Sequence, residues 1–93
     1  MADETIRLAR YAAGLRYEDL PASVVQQAKD CIIDTVAAGI CGSALPWSRI
    51  VIDYAARTGP GGKCRILGRS GSAVQAPAAA LANGALAHAF ELD

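Results

Sequence analysis

The side chains best suited to chemistry lie close together near the C-terminal end of the sequence. His88, Glu91 and Asp93 follow an Ala-rich run that begins at Asn83, and His88 is the only histidine in the sequence. On a helix, residues three positions apart share a face, as His88 and Glu91 would. A histidine beside carboxylates can take a proton from a carbon next to a carbonyl group, or donate one to a leaving hydroxyl. The spacing therefore fits an acid–base site, but on spacing alone a structural hydrogen bond between His88 and Glu91, with Asp93 capping a loop, is favoured.

Other kinds of site are less well supported by the sequence. His, Glu and Asp all bind metal ions, but the HxxExD spacing matches no strong metal signature, and we predict neither a metal nor a cofactor. Residues 68–72 are rich in Gly and Ser, yet they lack the phosphate-loop patterns and are interpreted as a surface loop. Cys31, Cys41 and Cys64 have no second histidine that would activate a thiolate, so we assign them to the core or to a strand.

Composition and charge argue against several classes of protein. The sequence has nine basic and nine acidic residues, so it lacks the charge expected of a nucleic-acid-binding domain. The longest apolar stretch, residues 35–47, is too short to span a bilayer. The N-terminal residues resemble neither a secretory nor a transit signal, and the cysteines lack metal or disulfide spacing. We therefore expect a cytoplasmic protein with no nucleic-acid or membrane partner.

Four predicted helices would position these residues. They cover residues 3–15, 21–41, 47–58, and a segment that starts near residue 76 and carries His88 and Glu91. The second helix loses its polar face after Asp34, so we expect its C-terminal half to be buried on every side, as the core element. Trp47 and Tyr54 follow helical spacing and are expected in the core. Alternation over residues 63–67 predicts one short strand, and the fold class is mainly α.

Several segments of the sequence resemble the MmgE/PrpD family. They are Leu20-Pro21, residues 28–39 (AKDCIIDTVAAG), Leu67-Gly68 and residues 78–93 (AAALANGALAHAFELD). Family members typically read His-Ala-Leu-Asp-Phe-Asp-Asp in the last of these segments. This sequence matches that pattern at His88 and Asp93 and has Glu91 where the first Asp stands.

The resemblance implies a fold and an activity. Residues 1–93 would be a partial N-terminal helical domain of a larger protein, usually a homodimer, whose active site needs no metal or cofactor. The protein would be a lyase, a dehydratase or decarboxylase of a small di- or tricarboxylic acid such as 2-methylcitrate. Glu91 and Asp93 would be acid–base or substrate-orienting groups and His88 an orienting group. Asn83 and Gly84 are assigned to substrate binding, with a structural helix contact as the alternative for Asn83.

Two alternative functions stay open. An epimerase or isomerase of the same family would return the proton to carbon instead of losing a leaving group. A non-catalytic helical interaction module would associate through the apolar surface of residues 36–47. Because family members are several times longer, we expect the 93-residue chain alone to be inactive.

Overall fold

The chain divides into two compact units, Met1–Asp30 and Cys31–Asp93. The computed structural model describes residues 2–71 and 73–89. These residues form four α-helices, one 3₁₀ turn and one short strand, so the predicted mainly α fold class is confirmed.

The first unit contains helix α1 (Ala2–Gly14) and the start of helix α2 (Ala22–Ser43). A 3₁₀ turn, Tyr17–Asp19, separates the two helices along the chain. The N–H group of Arg16 donates to the Asp19 carboxylate at 3.1 Å, and the N–H group of Asp19 donates to the Arg16 carbonyl at 3.0 Å. This reciprocal pair closes the turn directly before α2.

The second unit contains the rest of α2, helix α3 (Ser48–Thr58), strand β1 (Pro60–Cys64) and helix α4 (Ala76–Ala87). Helix α3 packs against α4, and both contact β1. At the end of α3, a Cβ atom on Gly59 would lie only 2.5 Å from the Cβ atom of Ala78, near the start of α4. The two helices are therefore antiparallel, and the C-terminal end of α4 lies beside the N-terminal end of α3.

Small side chains let the elements of this core approach closely. The buried apolar side chains of the described residues are Ala55, Ile66, Val74, Ala79, Ala82 and Leu86. Leu86 and Val74 are the largest that are fully buried. Full burial of one such side chain stabilises a fold by about 1.5–3 kcal/mol. All of these residues come from α3, α4 and the segment between them, so this core fixes the position of α4.

The predicted helix limits agree with α1 and α2 to within about two residues, the usual variation at helix ends. Helix α4 begins at Ala76 with Pro77 in its first turn, as predicted. No single helix within the described residues is long and apolar enough to cross a membrane. Helices α2 and α3 meet that test only as a pair bent by 92°.

The prediction that α2 is the core element is wrong. Among the described residues, its C-terminal half buries Gly39, Gly42 and Ser43. Ile32 is 63% exposed and Ile40 is 49% exposed. An apolar pattern shows which residues avoid water, but it does not show whether a neighbour covers each face of the helix. The described residues cover only one face of this half.

The expected core positions of Trp47, Tyr54 and two cysteines are also wrong. Trp47 is 57% exposed and Tyr54 is 47% exposed. Cys31 and Cys41 are exposed on α2, whereas Cys64 is half-buried in β1. Apolar residues lie on two sides of α3, and only the side that contacts α4 is buried.

Strand β1 covers Pro60–Cys64, whereas the sequence predicted a strand over residues 63–67. Val74 forms antiparallel bridges with the first and last residues of β1. The glycine at position 62 allows Val74 to lie this close to β1, since a side chain there would collide with the Val74 main chain. The N–H group of Leu67 instead donates to the side chain of Asn83. The predicted strand residues beyond Cys64 are therefore held by α4 rather than by a neighbouring strand.

Candidate functional site

Helix α4 carries two of the predicted site residues, Asn83 and Gly84, and His88 follows it directly. Neighbouring segments hold the ends of this helix. At the start of the helix, the N–H group of Gln75 donates to the Gly59 carbonyl at 2.7 Å. Pro77 occupies the first turn, where its missing N–H group costs no hydrogen bond. The buried inner face sets the rotation of the helix, because turning α4 would expose Leu86.

Both the oxygen and the nitrogen of the Asn83 side-chain amide form hydrogen bonds to the main chain. Its Oδ1 atom accepts from the Leu67 N–H group at 2.8 Å, and its Nδ2 atom donates to the Arg65 carbonyl at 3.0 Å. The pair attaches α4 to the segment after β1, and we call it the Asn83 clamp. The structural contact considered for Asn83 is therefore present. Its predicted contact with a substrate stays a prediction.

Gly84 lies on an open part of the surface of α4. A Cβ atom built on this residue would meet nothing within 4 Å. The space beside Gly84 therefore allows a ligand to approach the helix main chain near His88. The assignment of Gly84 to substrate binding stays a prediction.

His88 caps α4 instead of lying inside it. The helix ends at Ala87, and His88 has φ −106° and ψ 5°, outside the helical region. The N–H groups of His88 and Ala89 donate to the Ala85 and Leu86 carbonyls, at 3.3 and 3.2 Å, which tightens the last turn toward 3₁₀ geometry. The predicted continuous helix through His88 and Glu91 is therefore wrong. The side chain of His88 is exposed at this end.

Glu91 and Asp93 lie outside the described residues, so their predicted acid–base roles stay predictions. Within residues 2–71 and 73–89, no cluster of three or more His, Cys, Asp or Glu side chains could hold a metal ion.

The described part of the 68–72 loop is exposed, as expected for a surface loop. Gly68 has φ +74°, and a side chain there would collide with Ser43 at the end of α2. The Arg69 guanidinium donates to the Ser43 carbonyl at 3.0 Å, and the Arg65 guanidinium donates to the Gly71 carbonyl at 2.8 Å. Each arginine thus has a main-chain partner that holds the loop in place.

Two residues at the start of α3 contribute to this region, and sequence reasoning missed both. The indole Nε1 atom of Trp47 donates to the Ala89 carbonyl at 3.0 Å. Ser48 is 3% exposed, and its hydroxyl has no hydrogen-bond partner among the described residues. The order Pro46-Trp47-Ser48 indicates a helix start, but no local pattern predicts a contact between residues 42 positions apart.

Comparison with known sequences decides the family of the chain. Residues 6–93 match the sequence model of the MmgE/PrpD N-terminal domain. The chain belongs to the MmgE/PrpD family. The resemblance found in the sequence is thereby confirmed, and the structure shows part of its helical N-terminal domain.

Curated relatives of this MmgE/PrpD chain come from fungi. A cis-aconitate decarboxylase of Aspergillus terreus is 34% identical over 89 residues, and a cis-aconitate decarboxylase-like protein of Aspergillus oryzae is 36% identical over 93 residues. Each alignment covers 96% of this chain and 18% of the relative, so the chain spans less than a fifth of their length. No solved structure matches it significantly.

Proposed function

We propose that this chain is the N-terminal portion of an MmgE/PrpD lyase that acts on a small di- or tricarboxylic acid. The observation that carries the proposal is the family match over residues 6–93, which contains every predicted site residue. The alignments cover 18% of the relatives, so other catalytic groups would come from further segments of a longer polypeptide.

The names of the two relatives refer to cis-aconitate decarboxylation. These names favour decarboxylation over dehydration of 2-methylcitrate. In such a reaction one C–C bond breaks and carbon dioxide leaves. The electron pair shifts the double bond, and an acid delivers a proton to carbon. Dehydration needs a base at carbon and an acid at the departing hydroxyl. Either reaction requires a side chain that exchanges a proton with carbon, and we assign this role to Glu91 or Asp93.

His88 would orient the substrate or these carboxylates. It follows α4 directly, and the buried inner face and the Asn83 clamp hold that helix. A group on a rigid element keeps its geometry better than one on a loop, and correct geometry supplies much of a catalytic effect. The support for this role is the position of His88 at the end of a firmly packed helix.

We also propose that the longer protein is a cytoplasmic homodimer that uses no metal or cofactor. Exposed apolar side chains on α2 and α3, including Ile32, Ile40 and Ile50, support burial against further protein. Isolated apolar side chains are common on protein surfaces, but contiguous ones mark contact regions.

The test is an activity assay of the longest open reading frame that contains this chain. The purified product is incubated with cis-aconitate and with 2-methylcitrate, while carbon dioxide and the absorbance of unsaturated acids are followed. We expect carbon dioxide from cis-aconitate, and a large loss of turnover in Glu91→Gln. Asp53→Asn, which changes an exposed carboxylate on α3, is the matched control and should retain activity.

Other results would redirect the proposal. Solvent deuterium entering a substrate without carbon dioxide or a new double bond would identify the epimerase alternative. Turnover by the isolated 93-residue chain would contradict the need for further segments.

A non-catalytic interaction module is the second candidate. It is supported by the exposure of Val36, Ile40 and Trp47 within the apolar surface predicted to associate. Stable binding of a protein partner through this surface, with no turnover of either acid, would favour it. A well-behaved monomer in size-exclusion chromatography would argue against it.

A further inference from the structure

The corner between α2 and α3 contacts the C-terminal end of α4 at two points. At the end of α2, Gly42 lies so close to the Leu86 carbonyl that a side chain there would collide with it. At the start of α3, the indole of Trp47 donates to the Ala89 carbonyl. The two contacts flank His88 in sequence, because Leu86 precedes it and Ala89 follows it.

Burial does not explain the position of Trp47. The side chain is 57% exposed, so a large part of its apolar ring remains in water. Its one polar atom nevertheless makes a hydrogen bond of 3.0 Å to a main-chain carbonyl 42 residues away. A tryptophan that served only the core would have its ring buried.

The accepting carbonyl belongs to a part of the chain that lacks regular helical bonding. The last four carbonyl groups of a helix have no partner within it, and the main chain is free to diverge there. In α4 the N–H groups of His88 and Ala89 bond back to Ala85 and Leu86. The carbonyl of Ala89 lies beyond these bonds, and Trp47, the residue directly before α3, supplies its partner.

We propose that Trp47 is a positioning residue for the site at the end of α4. Its hydrogen bond to the Ala89 carbonyl fixes the main chain directly after His88. The bond thereby sets the position of the His88 imidazole. The catalytic part of this inference rests on the proposed function. A displacement of about 1 Å in a catalytic group can lower turnover by up to about 100-fold.

The first experiment uses the 93-residue chain and needs no activity. Nuclear magnetic resonance measures solvent exchange of the indole N–H of Trp47, and the ring signals of His88 in the unmodified chain, in Trp47→Phe and in Tyr54→Phe. Tyr54 is an exposed aromatic residue within α3 and is the matched control. We expect a slowly exchanging indole N–H, and His88 signals that shift in Trp47→Phe alone.

The second experiment measures kcat and KM in the active longer protein. We expect Trp47→Phe to lower kcat about 10-fold, with KM within about 3-fold of the unmodified value, and Tyr54→Phe to change neither. A purely structural role would lower the melting temperature and leave kcat of the folded enzyme unchanged. That result would overturn the proposal.

The two experiments separate this proposal from the proposed function. An indole N–H that exchanges as fast as a free indole overturns the role of Trp47, and this measurement does not depend on whether a variant folds. Absence of turnover in the unmodified longer protein overturns the lyase function. In that case the His88 signals still test whether Trp47 positions His88. A shift of these signals in Trp47→Phe supports that role, and unchanged signals refute it.

Discussion

Replacing Asn83 by Ala should destabilise the chain measurably, because the Asn83 clamp is the polar link between α4 and the segment after β1. The substitution leaves the Leu67 N–H group without its partner in a partly buried position and the Arg65 carbonyl without its partner in an exposed one. An unpaired buried group costs about 1–3 kcal/mol, whereas the exposed carbonyl can bind water and loses about 0.5 kcal/mol. Ala favours a helix over Asn by about 0.5 kcal/mol, which offsets part of the loss.

The net expectation for Asn83→Ala is a loss of about 1–3 kcal/mol. For a domain of this size, 1 kcal/mol corresponds to about 4–8 °C, so the melting temperature should fall by about 4–24 °C. Thermal and urea unfolding, followed by far-ultraviolet circular dichroism, measure this change. Hydrogen exchange should show faster exchange at the Leu67 amide, which marks the loss of the clamp itself.

Gln75→Ala is the matched control, because it removes another amide that binds a main-chain carbonyl. Its Nε2 atom donates to the Pro60 carbonyl at 3.2 Å, in an exposed position. We expect a change below about 0.5 kcal/mol. Equal melting temperatures for the two variants, together with unchanged exchange at Leu67, would refute the argument that the clamp stabilises α4.

Four further substitutions test the packing around α4 and association through the outer side of α3. Gly42→Ala should lower the free energy of unfolding by about 1–3 kcal/mol, since the new methyl group meets the Leu86 carbonyl. Gly84→Ala should instead raise it by about 0.5–1 kcal/mol, because open space surrounds that position in a helix. Ser48→Ala should raise it by up to about 2 kcal/mol, as it removes a buried hydroxyl without a described partner. Ile50→Lys, at a residue 75% exposed, should leave stability within about 0.5 kcal/mol, while gel filtration shows weaker self-association.

Each of these expectations has an opposite result that would contradict it. Equal unfolding energies for the two glycine variants would show that α2 can move away from α4 at no cost. A destabilising Ser48→Ala would show that the hydroxyl has a partner. Unchanged elution of Ile50→Lys at all concentrations would show that the outer side of α3 takes no part in association.

Local signals predicted the helices well. Pro21 and Pro77 mark the starts of α2 and α4, because proline fits the first turn of a helix and is excluded from its interior. Gly59 marks the end of α3. The family resemblance rested on a similar local feature, the segment from residue 78 onward, and comparison with known sequences confirmed it.

The errors concern contacts between distant residues. The pattern of α2 shows that Ile32 and Ile40 are apolar, but not that the described residues leave them exposed. The end of α4 depends on Trp47, which is 42 positions from its partner in the sequence. Of the candidate site, the sequence pointed to His88, and the structure added that this residue caps the helix.

The separation of Trp47 from Ala89 also orders the events of folding. The Asn83 clamp joins residues 16 and 18 positions apart, whereas the indole bond closes a loop of 42. Loop-closure entropy makes the longer closure costlier by about 0.8 kcal/mol. We therefore expect the antiparallel α3–α4 core to assemble first and the contact beside His88 to form after it. On unfolding, we expect this contact to open before the core does, so that the candidate site is lost while α3 and α4 are still packed together.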